Sequence, residues 1–244
     1  MKDNGFYDVH IHLLPGVDDG ASSMDITRQM LQRAYDQGVR VLIATPHYIS
    51  ATTTMTKDTR LEILEEVRKE AISIAPDLRV EMGNELYYSE SILADLLEGK
   101  AATMCDSDYV LVEFATNVAY KELYRGMRRF VEAGYRPILA HVERYDCLWK
   151  EYAKLKELIS LGAYIQMNAE SLMGGFLDGR AAYCRKLILL GYVHLIGSDA
   201  HGIENRPPLM LDAVKMLIKK RIPEDELEKI FFYNPERMIQ NKYI

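Results

Sequence analysis

Cysteine is scarce in this 244-residue chain, and its pattern excludes a disulfide framework. Only Cys105, Cys147 and Cys184 occur, odd in number and widely spaced, so a reducing cytoplasm is the expected setting. No apolar run approaches the roughly eighteen residues that a membrane-spanning helix needs. The opening Met1-Lys2-Asp3-Asn4-Gly5 passes straight into a strand-like run, without the apolar core of a signal peptide. Positive charge is in deficit, with 30 Lys and Arg against 36 Asp and Glu and a net charge of −6. Such a surface cannot neutralise phosphates over a broad area, which excludes a general affinity for nucleic acid or acidic lipid and leaves room only for a local basic pocket. No linker rich in Gly, Ser or Pro and no shift in composition divides the chain, so residues 1–244 are expected to form one domain.

What is present is an alternation. Short apolar runs at 6–11, 39–44, 79–82, 109–112, 137–140, 163–167 and 193–197 read as strands, and longer amphipathic runs between them read as helices. Ser22 with Asp25 resembles a capping box opening the first helix. Ile26, Met30, Leu31 and Ala34 recur at helical spacing, and Gly38 suits the C-terminal stop. Further helices are expected at 57–73, 90–97, 120–134, 149–161, 181–190, 209–220 and 224–231. Seven strand–helix units without a break imply an α/β fold with a parallel sheet. A closed or nearly closed barrel fits best, a distorted TIM-like (β/α)7 arrangement with the active site at the C-terminal mouth of the strands. An open doubly wound sheet would gather its ligands at one switch point and favour a Gly-rich phosphate loop after the first strand. Gly16-Val17-Asp18-Asp19-Gly20 is not that loop.

The polar residues at the strand ends carry the chemistry. His10 and His12 are two apart on the first strand, so both rings share one face. Nearly every later strand also ends in His, Asp or Glu, giving the set His10, His12, Asp19, His47, Glu85, Glu113, His141, Asp199 and His201. Any one of these has an ordinary explanation as a core or turn residue; their joint placement does not. Imidazole and carboxylate without thiolate suit Mn²⁺, Zn²⁺ or Fe²⁺. Nine donors exceed the needs of one ion and point to two or three. His194, at the start of the seventh strand, reads as structural. Asp8 reads as a carboxylate that orients a histidine N–H, with Asp18 and Asp19 competing for the ligand role beside it.

The runs His10-Ile11-His12, Asp18-Asp19-Gly20, Ala44-Thr45-Pro46-His47, Gly83-Asn84-Glu85, Leu111-Val112-Glu113-Phe114, His141-Val142-Glu143-Arg144-Tyr145 and Ser198-Asp199-Ala200-His201 resemble, in order, the motifs of the PHP (polymerase and histidinol phosphatase) superfamily. Within it the chain resembles the bacterial manganese-dependent protein-tyrosine phosphatases of capsular and exopolysaccharide operons, the CpsB/CapC type. The resemblance spans essentially the full length. It implies a distorted seven-unit barrel with three divalent ions, Mn in the first place and Fe or Zn as alternatives. One ion would be held by His10, His12, Glu85 and Asp199; a second by Glu85, Glu113 and His141; a third by Asp19, His47 and His201. Arg144 and Arg206 match the family's phosphate-binding arginines.

Three divalent ions against Asp19, Glu85, Glu113 and Asp199 leave a formal surplus of two positive charges, which suits a phosphate monoester dianion. The implied reaction is attack on phosphorus by a hydroxide shared between the ions, with the arginines clamping the equatorial oxygens. No Cys-x5-Arg loop is present, which excludes a thiol-nucleophile phosphatase. The implied substrate is a phosphotyrosine protein, in first place a bacterial tyrosine kinase that controls polysaccharide export. Phosphatase action on a small metabolite such as histidinol phosphate is the nearest rival, because the metal motifs are shared. A metal-dependent nuclease, an amidohydrolase and a binding module with a silent metal site are weaker rivals. A homo-oligomer is open.

Overall fold

The computed structural model describes residues 5–175 and 177–244. The opening run 1–4, read above for a leader, lies outside the described residues. Among the described residues nine strands appear: β1 (Phe6–Ile11), β2 (Val39–Ala44), β3 (His47–Tyr48), β4 (Arg79–Met82), β5 (Glu85–Tyr87), β6 (Tyr109–Glu113), β7 (Arg136–Leu139), β8 (Tyr164–Asn168) and β9 (Leu195–Gly197). All pair in parallel, in the orders β1-β2-β4 and β3-β5-β6-β7-β8-β9.

The nine strands make seven staves. Thr45-Pro46 interrupts the stave of β2 and β3, and Gly83-Asn84 interrupts that of β4 and β5. Proline cannot donate to a ladder, and Asn84 repairs the gap: its Nδ2 donates to Pro46 O at 2.9 Å while its Oδ1 accepts from Ala102 N at 2.8 Å. Gly83 is needed because an added Cβ would lie 2.7 Å from Met104 Sδ. The seam between the last and first strands closes through Asp199 N to His10 O at 2.7 Å and His12 N to Ala200 O at 3.0 Å, with a parallel bridge between Ile11 and Ala200. The barrel is distorted where β4 and β6 do not pair. The buried side chain of Met104, from the turn Met104–Asp106, lies in the interior there with Val9, Ile43, Leu111, Ile138 and Leu195. Met238 of the C-terminal helix joins the same cluster.

The helices α1 (Met24–Asp36), α2 (Lys57–Ile74), α3 (Ile92–Leu97), α4 (Tyr120–Glu132), α5 (Tyr152–Leu161), α6 (Gly179–Leu189), α7 (Met210–Lys219), α8 (Glu224–Glu228) and α9 (Asn234–Ile239) cover the strands. Helix α1 buries Thr27, Met30, Leu31 and Ala34, the stripe that the spacing predicts. Its cap is Ser23 rather than Ser22, with Ser23 Oγ accepting from Ile26 N. Gly38, at φ +82°, ends the segment, as a residue free of a Cβ clash should. Helix α5 starts at Tyr152, not at 149. Asp146–Leu148 form a tight turn and Lys150 sits at φ +59°, which a continuing helix cannot accommodate. The helix expected over 224–231 changes at Lys229–Tyr233 into a π turn before α9. Among the described residues no helix is long and apolar enough to cross a membrane.

Candidate metal centre

All nine donor residues proposed from sequence converge at the C-terminal mouth of the strands, and eight of them, all but His141, fall into three overlapping groups. His10, His12, Glu85 and Asp199 form one; His12, Asp19, His47 and His201 form a second; His47, Glu85 and Glu113 form a third. Within each group one donor atom per residue lies within 4.8 Å of the others. His141 flanks the third group, its Nε2 at 2.8 Å from Glu85 Oε1 and 3.4 Å from Glu113 Oε1. His12 thus joins the group expected from Asp19, His47 and His201. His47 also reaches toward two groups, with Nε2 facing Asp19 and Nδ1 facing Glu85 and Glu113.

The ring tautomers follow from the hydrogen bonds. His12 Nδ1 donates to Asp18 Oδ2 at 2.7 Å. Gln166 Oε1 accepts the backbone N–H of His141 at 2.6 Å and stands 3.4 Å from His10 Nδ1, so that ring nitrogen must carry the proton. His201 Nδ1 donates to the Asp199 carbonyl at 3.0 Å. All three rings are left with Nε2 facing inward. The Nε2 atoms of His10 and His12 stand 3.2 Å apart and 3.2 and 3.3 Å from Glu85 Oε2. Glu85 Oε2 is buried without a hydrogen-bond partner, although His47 Nδ1 also stands 3.0 Å away, and His201 Nε2 is likewise unpartnered. Ring nitrogens and carboxylate oxygens aimed at shared points, with Glu85 Oε2 and His201 Nε2 left without a hydrogen-bond partner, are the donor set a divalent cation takes.

Electrostatics say the same. Burial pushes the Glu85 carboxyl up, but His10, His12 and His141 outweigh this and hold it well below the usual carboxylate range. Asp199 is likewise held low against burial, by His10 and His12. Burial pushes the His141 ring down, yet Glu113 and Glu85 raise it to about 10. His12 is also raised, against burial, by Asp18, Asp199 and Glu85. His201 is pushed down to about 4 by burial, His12 and Arg206. Protons on His12 and His141 therefore balance the buried carboxylates in the cation-free chain, and a cation at the same place would supply that charge in their stead.

Arg144 and Arg206 both end on Asp199 Oδ2, Arg144 Nη2 at 2.8 Å, and Asn168 Nδ2 donates to the same oxygen at 2.7 Å. Asp199 Oδ1 stays turned toward His10 and His12, at 3.5 and 3.4 Å. His141, Asp199 and Arg206 adopt φ of +33°, +53° and +54°, a left-handed region that non-glycine residues enter at a cost and that clusters at functional sites. Backbone bonds hold two of these turns, Arg144 N to His141 O at 2.9 Å and His201 N to Arg206 O at 3.0 Å.

Asp8 does not orient a histidine ring. The pairing of β1 with β2 slips between Asp8 and Ile11, and Asp8 Oδ1 takes the backbone N–H groups of His10 and Ser198 at 3.3 and 2.8 Å. Orientation falls to Asp18, which also accepts from His47 N at 2.9 Å and Gly20 N at 3.0 Å, and to Gln166. Gln166 and Asn168 were not among the residues expected to serve the site. They stand two apart on β8; alternation toward the interior was the sequence signal for Gln166, and Asn168 also shares the recurring strand-end position of the donors. His194 lies apart from the cluster, its Nδ1 accepting from Ile165 N at 3.1 Å.

The model of the family described as Capsular polysaccharide synthesis, CpsB/CapC, matches residues 6–240. The chain belongs to this family. It is 31% identical to the tyrosine-protein phosphatase CpsB of Streptococcus pneumoniae over 97% of this chain and 99% of that one. Among solved structures, one from the work on YwqE of Bacillus subtilis and CpsB of Streptococcus pneumoniae, described as unique metal-dependent tyrosine phosphatases, superposes with a TM-score of 0.88. The identity there is 27%, and the match covers 98% of this chain and 96% of that one. The phosphotriesterase homology protein of Escherichia coli, solved with phosphate in its active site, superposes with a TM-score of 0.62 at 14% identity, covering 98% and 100%. That last likeness concerns the barrel alone.

Proposed function

We propose that this protein is a metal-dependent protein-tyrosine phosphatase acting in capsular or exopolysaccharide synthesis. The carrying observation is the convergence of five histidines and four carboxylates on shared points at one barrel mouth, beside two arginines. It occurs in a chain that aligns nearly end to end with the tyrosine-protein phosphatase CpsB. The relatives' names favour this reading over that of a small-metabolite phosphatase.

The proposed ligands are His10, His12, Asp19, His47, Glu85, Glu113, His141, Asp199 and His201, holding three divalent ions, Mn²⁺ in the first place. Such ions would polarise the phosphoryl oxygens, bring bound water to a pKa of roughly 7 and stabilise the departing oxygen. The chain's own residues do the rest. Asp18 and Gln166 hold the rings of His12 and His10 with Nε2 inward. Arg144 and Arg206, anchored on Asp199, keep further N–H groups for the equatorial phosphoryl oxygens. A phenolate leaves readily enough that no general acid is assigned. The cognate substrate is proposed to be the phosphorylated tyrosine kinase of the polysaccharide export machinery, and the setting the cytoplasm.

Protein loaded with Mn²⁺ is expected to release phosphate from a phosphotyrosine peptide, with chelation or His10→Ala lowering the rate at least a hundredfold. Fast hydrolysis of histidinol phosphate together with inertness toward phosphotyrosine would overturn the reading.

A further inference from the structure

We infer that Tyr87 forms an aryl-binding wall at the rim of the mouth and selects aromatic over alkyl phosphate esters. The inference rests on the phosphatase reading and adds to it a residue outside the donor set and the arginine pair.

Three observations carry it. The first is direction. Strand β5 pairs with β6 so that Glu85 is level with Leu111 and Tyr87 with Glu113. Leu86, between them, packs into the outer core under the helices, whereas Leu111 belongs to the barrel interior. Side chains alternate along a strand and register partners share a face, so Tyr87 projects to the same side as Glu85 and Glu113. The second is depth. Two residues along a strand advance about 6.6 Å, which places Tyr87 one step further out than Glu85, on the scale of the ester oxygen and ring that follow phosphorus in an aryl phosphate. The third is the lack of a structural employment. Tyr87 is half-buried, yet it packs against neither core cluster. Its side chain makes no hydrogen bond and no ring contact among the described residues. Its neighbour Tyr88, by contrast, stacks on Phe114 with ring centroids 4.7 Å apart.

A tyrosine ring held at a stave end and free on its face can meet a substrate ring in offset or edge-to-face geometry, at little entropic cost because the strand fixes its backbone. An alkyl ester gains nothing comparable. The polar groups of the centre recognise phosphate in either ester, so discrimination between them in binding, apart from the easier departure of a phenolate, falls to a surface of this kind.

The test compares phenylphosphonate with methylphosphonate, two non-hydrolysable probes, by calorimetric titration into Mn²⁺-loaded protein. The wild type is expected to prefer phenylphosphonate by about tenfold. Tyr87→Phe should keep that preference, and Tyr87→Ala and Tyr87→Gln should each reduce it to within about twofold of equality. The ratio of kcat/KM for phosphotyrosine over phosphoserine peptides should fall in parallel. A wild type without preference, or Tyr87→Ala and Tyr87→Gln variants that retain it, would overturn the inference. The phosphatase reading fails separately, if the wild type binds both probes yet releases no phosphate from phosphotyrosine.

Discussion

Asp18 and Asp19 are neighbours with the same side chain and opposite employment. The Asp18 side chain is only 6% exposed, and although burial pushes its carboxyl up, the His12 ring and the amides of His47 and Gly20 hold it down at about 2. Asp19 has a side chain 67% exposed, and its Oδ1 faces His47 Nε2 and His201 Nε2 at 3.5 and 3.4 Å. No feature of the dipeptide itself distinguishes them. The distinction arises because Gly20 lies so close under His12, where an added Cβ would sit 2.2 Å from His12 O, that the turn folds one aspartate inward and leaves the other on the rim. Asp19 and His10 belong to different donor groups, so Asp19→Ala and His10→Ala are each expected to lose one ion, and not the same one. Metal analysis of the two variants and of the double variant checks this: additive losses support separate sites, and full metal content in both single variants contradicts the assignment.

Charged strand ends announced themselves in the sequence because His, Asp and Glu are costly to bury without a purpose, whereas the amides of Gln166 and Asn168 carry no such warning. The same difference holds for elements. Long periodic segments such as α1, α2 and α4 were legible from their apolar spacing. The two-residue β3 and three-residue β5 were not, since Pro46 and Gly83-Asn84 read as the ends of strands when they are kinks within staves. Closure of the barrel was expected, but the fit of the seam between β9 and β1 was not legible, because its members are far apart in sequence and the fit depends on a missing side chain. A Cβ at Gly197 would lie 2.4 Å from His10 Cβ and 3.0 Å from His10 N. Both of those atoms belong to the rigid strand, so neither can move aside cheaply. Gly197→Ala is therefore expected to cost about 1–3 kcal/mol of stability and to weaken metal binding through His10 and Asp199 together. Denaturant unfolding and metal titration measure the two effects; a variant with wild-type values of both would show that the seam is more pliant than its packing implies.

Across the whole molecule, the end of the barrel remote from the mouth sets a pH limit of its own. Burial and Lys229 push the His194 ring down to about 4. The ring accepts the Ile165 N–H through Nδ1, which only a ring deprotonated at that nitrogen can do. An unfolded chain returns this group to about 6.5. Between these values the unfolded chain binds more protons than the folded one, so stability falls as the pH drops from about 6.5 toward 4. The loss attributable to His194 is about 3 kcal/mol at its fullest, on the order of 1.4 kcal/mol for each pH unit between the two values. Urea unfolding of the wild type and His194→Gln at pH 7.5 and pH 4.5 isolates it, with a shallower acid loss expected in the variant and an unchanged slope counting against the assignment. The seam has a further consequence, one of timing. His10 and His12 are made almost at once, but Asp199 and His201 come nearly two hundred residues later, and the first two donors meet the last two only across β1 and β9. Contacts of such sequence separation are the slowest to form. A ribosome-bound nascent chain exposes His10 and His12 long before Asp199 can join their group, and any fragment that stops short of residue 199 carries most of the barrel with none of its closure. Only the two donor groups that include Asp199 or His201 wait on that closure, whereas His47, Glu85 and Glu113 are all made well before the last strand.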